Sequence, residues 1–290
     1  MFRRLYHARA LAVLACAFLC LETVAQINSV PVNPPIRNVM FERVTGLTSA
    51  DEQGITQTLQ QEDPAWIGKQ RLDGLSRFIR NTVLSAYQDR GYWKANLSVE
   101  VTWVRGSGAS RQVDVLVSAT DEGAQYALKE IHLTGASVFP NDQLLGLMPI
   151  HPSELMSRSK VEQGLEAMRS LYAARGYIAF AAIPHAELDD AAHTVVLDLA
   201  LQEDRPFRFG NLSVEGADQT ASRQLRQAWE EVRQQLYSQD KLRSLVRDSL
   251  RLPPGTDPLD CTTSNLDFDT HTVDVQVSLP PQTQAEKTAR

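Results

Sequence analysis

Cysteine is almost missing from this chain, which carries three among 290 residues. Two of them, Cys16 and Cys20, sit in an N-terminal apolar run expected to be removed, which leaves Cys261 alone and excludes an internal disulfide framework. Long apolar stretches are missing as well. The longest, residues 10–21, falls short of the roughly 20 residues a helix needs to cross a bilayer. Nor is there a surplus of positive charge, since 29 Lys and Arg face 35 Asp and Glu for a formal net charge of −6. A surface of that sign repels phosphate backbones and anionic lipid, which argues against nucleic acid as a partner.

Marks of catalysis are equally scarce. His132, His151, His185, His193 and His271 have no Cys or carboxylate at ligand spacing, so no metal is expected. Neither of the glycine-rich phosphate-binding signatures occurs, and no cofactor or small-molecule substrate is expected. Ser107, between Gly106 and Gly108, reads as a hairpin tip, because a nucleophile elbow requires a strand-to-helix turn. Asp189 and Asp190 share a turn that offers no burial to move their pKa. The set of catalytic residues is expected to be empty.

The N-terminus has a clear pattern. Arg3, Arg4 and Arg9 precede the apolar run, and Thr23, Val24 and Ala25 follow it, which is the layout of a secretory signal peptide over residues 1–25. Its removal takes away three arginines and Glu22, a net +2, and leaves 265 residues with a charge near −8. That length suits three domains of modest core. Residues 26–37, with Pro31, Pro34 and Pro35 and no periodicity, read as an extended linker.

Beyond the linker the chain repeats itself. The clearest unit, residues 123–204, opens with an alternating strand through Ile131 and Leu133 that ends at Gly135. A brief helix through Leu144 and Leu145 is stopped by Pro149 and Pro152. A second helix, with Ser159 and Glu162 at capping-box spacing, carries Val161, Leu165, Met168 and Tyr172 and ends at Arg175 and Gly176. Two strands follow across the Asp189 and Asp190 turn; Pro184 confines the first to a sheet edge or a bulge, and Val195, Leu197, Leu199 and Leu201 line one face of the second.

Residues 38–122 show the same five elements, with a strand over 39–45 closed by Gly46 and with Gly91 and Tyr92 standing as Gly176 and Tyr177 do. Residues 205–280 are a divergent third copy. Phe207, Phe209, Leu212 and Val214 lead to Gly216, and Leu225, Trp229, Val232, Leu242, Val246 and Leu250 mark two helices. After Pro253, Pro254, Gly255 and Pro258 only Val273, Val275 and Val277 recover a clear strand, as suits a terminal repeat. The junctions at 121–125 and 203–206 are short and polar and read as modest hinges, and the tail 281–290 reads as disordered.

This order of strand, helix, helix, strand, strand, with Tyr126, Ile131, Gly135, Phe139, Leu171, Tyr172, Gly176 and Tyr177 as landmarks, resembles the POTRA (polypeptide-transport-associated) domain. The resemblance implies an α+β fold of tandem POTRA-like modules, each a three-stranded mixed sheet covered by two helices. It further implies a periplasmic role, because such domains stand in tandem before an outer-membrane β-barrel and bind unfolded clients or accessory proteins. No barrel-like series of alternating segments follows here. The landmark glycines and tyrosines are read as architecture, closing helices and packing between helix and sheet.

Function is then expected at an open sheet edge, whose unpaired N–H and C=O groups can take an added strand. Pro184 blunts that edge in the second unit, so the candidate lies in the first: Asn96, Ser98, Glu100, Thr102 and Val104, in a proline-free stretch. The expected function is an exported, non-enzymatic scaffold or chaperone-like module in outer-membrane protein assembly or polypeptide transport. Its partners would be proteins, an outer-membrane barrel or unfolded clients. The alternatives are a passive periplasmic spacer and, with less to support it, an envelope hydrolase. Mass spectrometry of the exported protein should find a first residue near Gln26; an intact Met1 form held in the inner membrane would establish an uncleaved anchor.

Overall fold

The computed structural model describes residues 35–61, 71–104, 112–250, 252 and 255–279. The leader, nearly all of the linker, the hairpin tip with Ser107, the pair Pro253 and Pro254, and the tail 281–290 lie outside the described residues.

Among the described residues nine strands form three mixed three-stranded sheets. The first repeat contributes β1 (Ile36–Glu42), α1 (Ser49–Gln61), α2 (Arg71–Asp89), β2 (Asn96–Trp103) and β3 (Val113–Asp121). In the second are β4 (Ala127–Thr134), α3 (Asn141–Leu145), α4 (Arg158–Ala173), β5 (Ala181–Asp189) and β6 (Thr194–Gln202). The third has β7 (Arg208–Glu215), α5 (Gln219–Val232), α6 (Gln239–Ser249), β8 (Thr262–Asp267) and β9 (Thr272–Ser278). In every sheet the last strand of the repeat is central, giving orders β1-β3-β2, β4-β6-β5 and β7-β9-β8. β3 runs parallel to β1 and antiparallel to β2, and β9 does the same with β7 and β8.

The central strands earn their place by composition. Val113, Val115 and Val117, and likewise Val273 and Val277, are fully buried, because β-branched residues at alternate positions present one apolar face to the helices. The helices answer with stripes at intervals of three and four residues: Leu75, Ile79, Val83 and Tyr87 on α2, and Leu225, Trp229 and Val232 on α5.

By compactness the chain divides into two units. One runs through Ala127 and takes in Ser153–Ser159 and Asp189–Thr194; the other holds Leu128–Pro152, Lys160–Leu188 and the chain from Val195 onward.

Several local expectations need correction. β1 begins at Ile36, inside the expected linker, and stops at Glu42, short of residue 45. α4 starts at Arg158, which puts Ser159 within the helix and not at its cap. The Ser159 N–H is instead satisfied by Asp89 Oδ1 at 2.6 Å, an acceptor seventy residues away that no local motif could reveal. β8 was not expected at all. Its sequence, TTSNLD, is almost wholly exposed, so it carries none of the alternation that burial imposes on a strand.

The residue that follows each junction is held by backbone hydrogen bonds. Within the first unit, Tyr126 N–H donates to Gly91 C=O at 2.9 Å and Met156 N–H donates to Tyr126 C=O at 2.9 Å. The same seam recurs within the second unit, where Phe207 N–H donates to Gly176 C=O at 2.8 Å and Tyr237 N–H to Phe207 C=O at 2.9 Å. Both glycines hold φ near +84°, and a Cβ on Gly176 would lie 2.9 Å from Phe207 O. The Gly-Tyr landmark thus fixes where the next segment enters.

Gly135, just past β4, has φ +84° and an imagined Cβ 2.3 Å from the backbone oxygen of Leu201. Gly135→Ala is expected to cost about 1–3 kcal/mol or more in urea unfolding, from strain plus displaced backbone. Gly54→Ala is the control, since a Cβ there meets nothing within 4 Å, and the change should stabilise α1 by roughly 0.5–1 kcal/mol.

Candidate functional site

The expected edge exists. β2 is an outer strand of the first sheet, held to β3 in a register that pairs Val99 with Val117, Val101 with Val115 and Thr102 with Asp114. Leu97 is buried, and Val99, Val101 and Trp103 pack half-buried against the core, while Glu100 and Thr102 are exposed and Ser98 is half-buried. Asn96 is exposed at the start of the strand, and Val104 lies one residue past its end.

Backbone direction divides these residues differently. Val104 N–H donates to Gln112 C=O at 2.9 Å, so Val104 faces its partner in a hydrogen-bonded pair. In an antiparallel ladder such pairs recur every second residue. Thr102, Glu100 and Ser98 therefore spend their backbone groups on β3, and Val99 and Val101 turn theirs to the open side. Four of the five residues singled out in the sequence lie on this strand and Val104 one residue beyond it, but the backbone groups available to an added strand belong to the valines between them. The Val104 to Gln112 bond fixes this phase, and no periodicity in the sequence reports it.

The other edges differ. β5 is outer in its sheet and has Pro184 exposed within it. β8 is outer in the third sheet and carries neither proline nor a basic residue.

Beneath the edges a carboxylate recurs that sequence reasoning passed over. Glu122, just past β3, accepts from Thr45 N–H at 2.6 Å, Gly46 N–H at 2.8 Å, Tyr87 Oη at 2.6 Å and the Thr45 hydroxyl. Glu203, just past β6, accepts from Ser137 N–H at 2.8 Å, Val138 N–H at 3.0 Å, the Ser137 hydroxyl and Tyr172 Oη. Each ties the end of a central strand to the loop after the first strand and to the second helix. Burial works against ionisation of both, but the donated hydrogen bonds outweigh it and hold each carboxyl at about 2. Burial, followed by the adjacent carboxylate, pushes the Tyr87 and Tyr172 phenols up. The signal was present in the sequence, as an acidic residue 31 to 35 positions after each landmark tyrosine, but nothing local says that the two side chains meet.

Asp189 and Asp190 are committed to different partners. Asp189 Oδ1 accepts from Ala191 and Ala192 N–H at 3.0 Å and closes the turn. Asp190 is bound by Lys94 Nζ and by Tyr126 Oη at 2.7 Å, and these partners, Lys94 foremost, keep its carboxyl below the usual range. His132 stands on an exposed face between Glu130 and Asp198, which raise its pKa. Among the described residues no group of three or more His, Cys, Asp or Glu could hold a metal ion, and no helix is long and apolar enough to cross a membrane.

Comparison with known proteins places the central repeat. The POTRA family model, described as a surface antigen variable number repeat, matches residues 126–204. Those residues resemble a POTRA domain. The tandem arrangement also has a counterpart among solved structures. Repeats three to five of BamA from Haemophilus influenzae align over 87% of this chain and 99% of theirs at 18% identity, with a TM-score of 0.59, which establishes a shared fold. The fourth POTRA of the same BamA is 23% identical over 28% of this chain and 95% of its own, with a TM-score of 0.27. The first three POTRA domains of Omp85 from Anabaena are 12% identical over 89% of this chain and all of theirs, with a TM-score of 0.32. The chain thus has the fold of POTRA domains in tandem.

Linkage gives the clasp a testable sign. The Glu203 pKa is lower folded than unfolded, so its stabilisation is complete above about 4.5 and is lost as pH falls toward about 2. Much of the side chain is in contact with solvent, so we expect Glu203→Gln to cost only about 1–2 kcal/mol at pH 7. The difference from the parent protein should shrink steadily below pH 4.5 in chemical unfolding experiments.

Proposed function

We propose that this chain is an exported, non-enzymatic scaffold of POTRA modules that binds extended polypeptide segments by strand addition, in outer-membrane protein assembly or polypeptide transport. The observation that carries the reading is β2, an outer strand free of proline whose Val99 and Val101 backbone groups turn away from β3. An incoming strand gains hydrogen bonds there without displacing a pairing already made. The POTRA match and the BamA-like fold support a periplasmic setting and protein partners. The boundaries 38–122, 123–204 and 205–280 belong to the same proposal, each module supplying one sheet.

Hydrogen exchange tests it. In the free protein the Val99 and Val101 amides should exchange quickly and those of Glu100 and Thr102 slowly. A denatured β-barrel polypeptide added in excess should protect Val99 and Val101 by tenfold or more. Thr102→Pro, which deletes a donor to β3, should destabilise the first sheet by about 3 kcal/mol or more. Exchange at Val99 and Val101 unchanged by any such client would leave only the passive spacer.

A further inference from the structure

The first sheet has a second outer strand, β1, and a cleft of about 380 Å³ lies along it. Val39 and Phe41 of the strand form one wall; the other is α1, which contributes Gln53, Gln57, Gln60 and Gln61. The helix buries Ile55 and Leu59 in the core, and that sets its glutamines on a different face, where positions 53, 57 and 60 follow one another at helical spacing.

A row of carboxamides is an unusual lining. Each offers two donors and an acceptor and has no charge to desolvate. Residues four apart on a helix rise about 6 Å, and an extended chain presents its next outward N–H and C=O about 6.6 Å further on. The two repeats nearly coincide, so side chains on α1 can meet successive backbone groups of a strand lying in the cleft. Gln60 already binds a backbone group in this way, with its Nε2 donating to the Arg37 C=O of β1 at 3.4 Å.

The third repeat supplies the contrast. Its corresponding cleft, between β7 and α5, measures about 190 Å³ and is occupied by its own side chains. Trp229 Nε1 donates to Gly210 C=O at 3.0 Å, and Arg233 reaches Asn211 Oδ1 at 3.4 Å, both at the point where the β7 register shifts. Among the glutamines that line the cleft of the first repeat, Gln60 alone is so engaged, and the cleft is twice the size.

We infer that the cleft between β1 and α1 is a second polypeptide-binding site, taking one extended segment whose near side pairs with β1 and whose far side is hydrogen-bonded by the glutamines. Recognition runs through the backbone and tolerates varied sequence. Glu52 on the same wall sets the charge preference, admitting neutral or basic segments and repelling acidic ones. The inference rests on the strand-addition reading above but names a different edge of the sheet.

The test uses the full chain and a fluorescent ten-residue peptide of alternating threonine and valine with a lysine at each end. Binding is followed by anisotropy and by backbone amide shifts. We expect shifts at residues 38–41 and at least tenfold weaker binding to Gln53→Leu/Gln57→Leu at an unchanged melting temperature, since leucine keeps size and helix propensity. A peptide with glutamate for threonine should bind more weakly, and Glu52→Gln should recover part of that loss. Should the leucine variant melt lower, Gln53→Ala/Gln57→Ala replaces it under the same criteria. Undiminished binding, or shifts at Val99 and Val101 alone, overturns this site and leaves the β2 reading standing. Absence of shifts at either edge overturns both.

Discussion

A three-stranded sheet has one central strand and two outer ones, and nearly everything in this protein follows from that count. The central strand can fill its inward positions almost wholly with valine and leucine because it is paired on both sides and covered by helices. The outer strands each keep one row of backbone groups without a ladder partner, and at this size neither barrel closure nor a second sheet can absorb them. The repeats differ chiefly in how each edge is managed. Pro184 blunts β5, the Trp229 and Arg233 contacts fill the cleft beside β7, and the first repeat keeps β2 and the β1 cleft open.

Small modules also need fastening, and Cys261, the single cysteine among the described residues, is free and supplies none. The recurring clasp of a glutamate on a buried tyrosine and two backbone amides does this work in the first two repeats. Its strength comes from placing a full charge among four donors, in a setting where ionisation is favoured despite partial burial. The core of the third repeat rests on Trp229, Phe209 and Tyr237 packed ring against ring. Apolar packing there replaces the polar fastening.

The seams follow the same economy. A glycine at positive φ ends the second helix of one repeat, and the carbonyl it exposes receives the N–H of an aromatic residue that opens the next strand. One residue type thereby closes a helix and fixes the entry of the following segment. This is why the glycine and tyrosine landmarks are so regular without being a binding site.

The repeat order, the cores and the edge position of Pro184 were legible in the sequence, because burial writes itself as periodicity: Val113, Val115 and Val117 alternate, and Leu75, Ile79, Val83 and Tyr87 recur by fours. β8 was illegible for the converse reason, as an exposed strand buries nothing and leaves no pattern. The partners of Glu122, Glu203 and Ser159 could not be read either, since a hydrogen bond across 31 to 77 residues has no local signature. The sequence by itself determined which residues are apolar, where they repeat and hence which strands are central. Only the tertiary structure decided which backbone groups of β2 face outward, because side-chain alternation has the same period whichever way the amides point, and one bond from Val104 to Gln112 sets the phase.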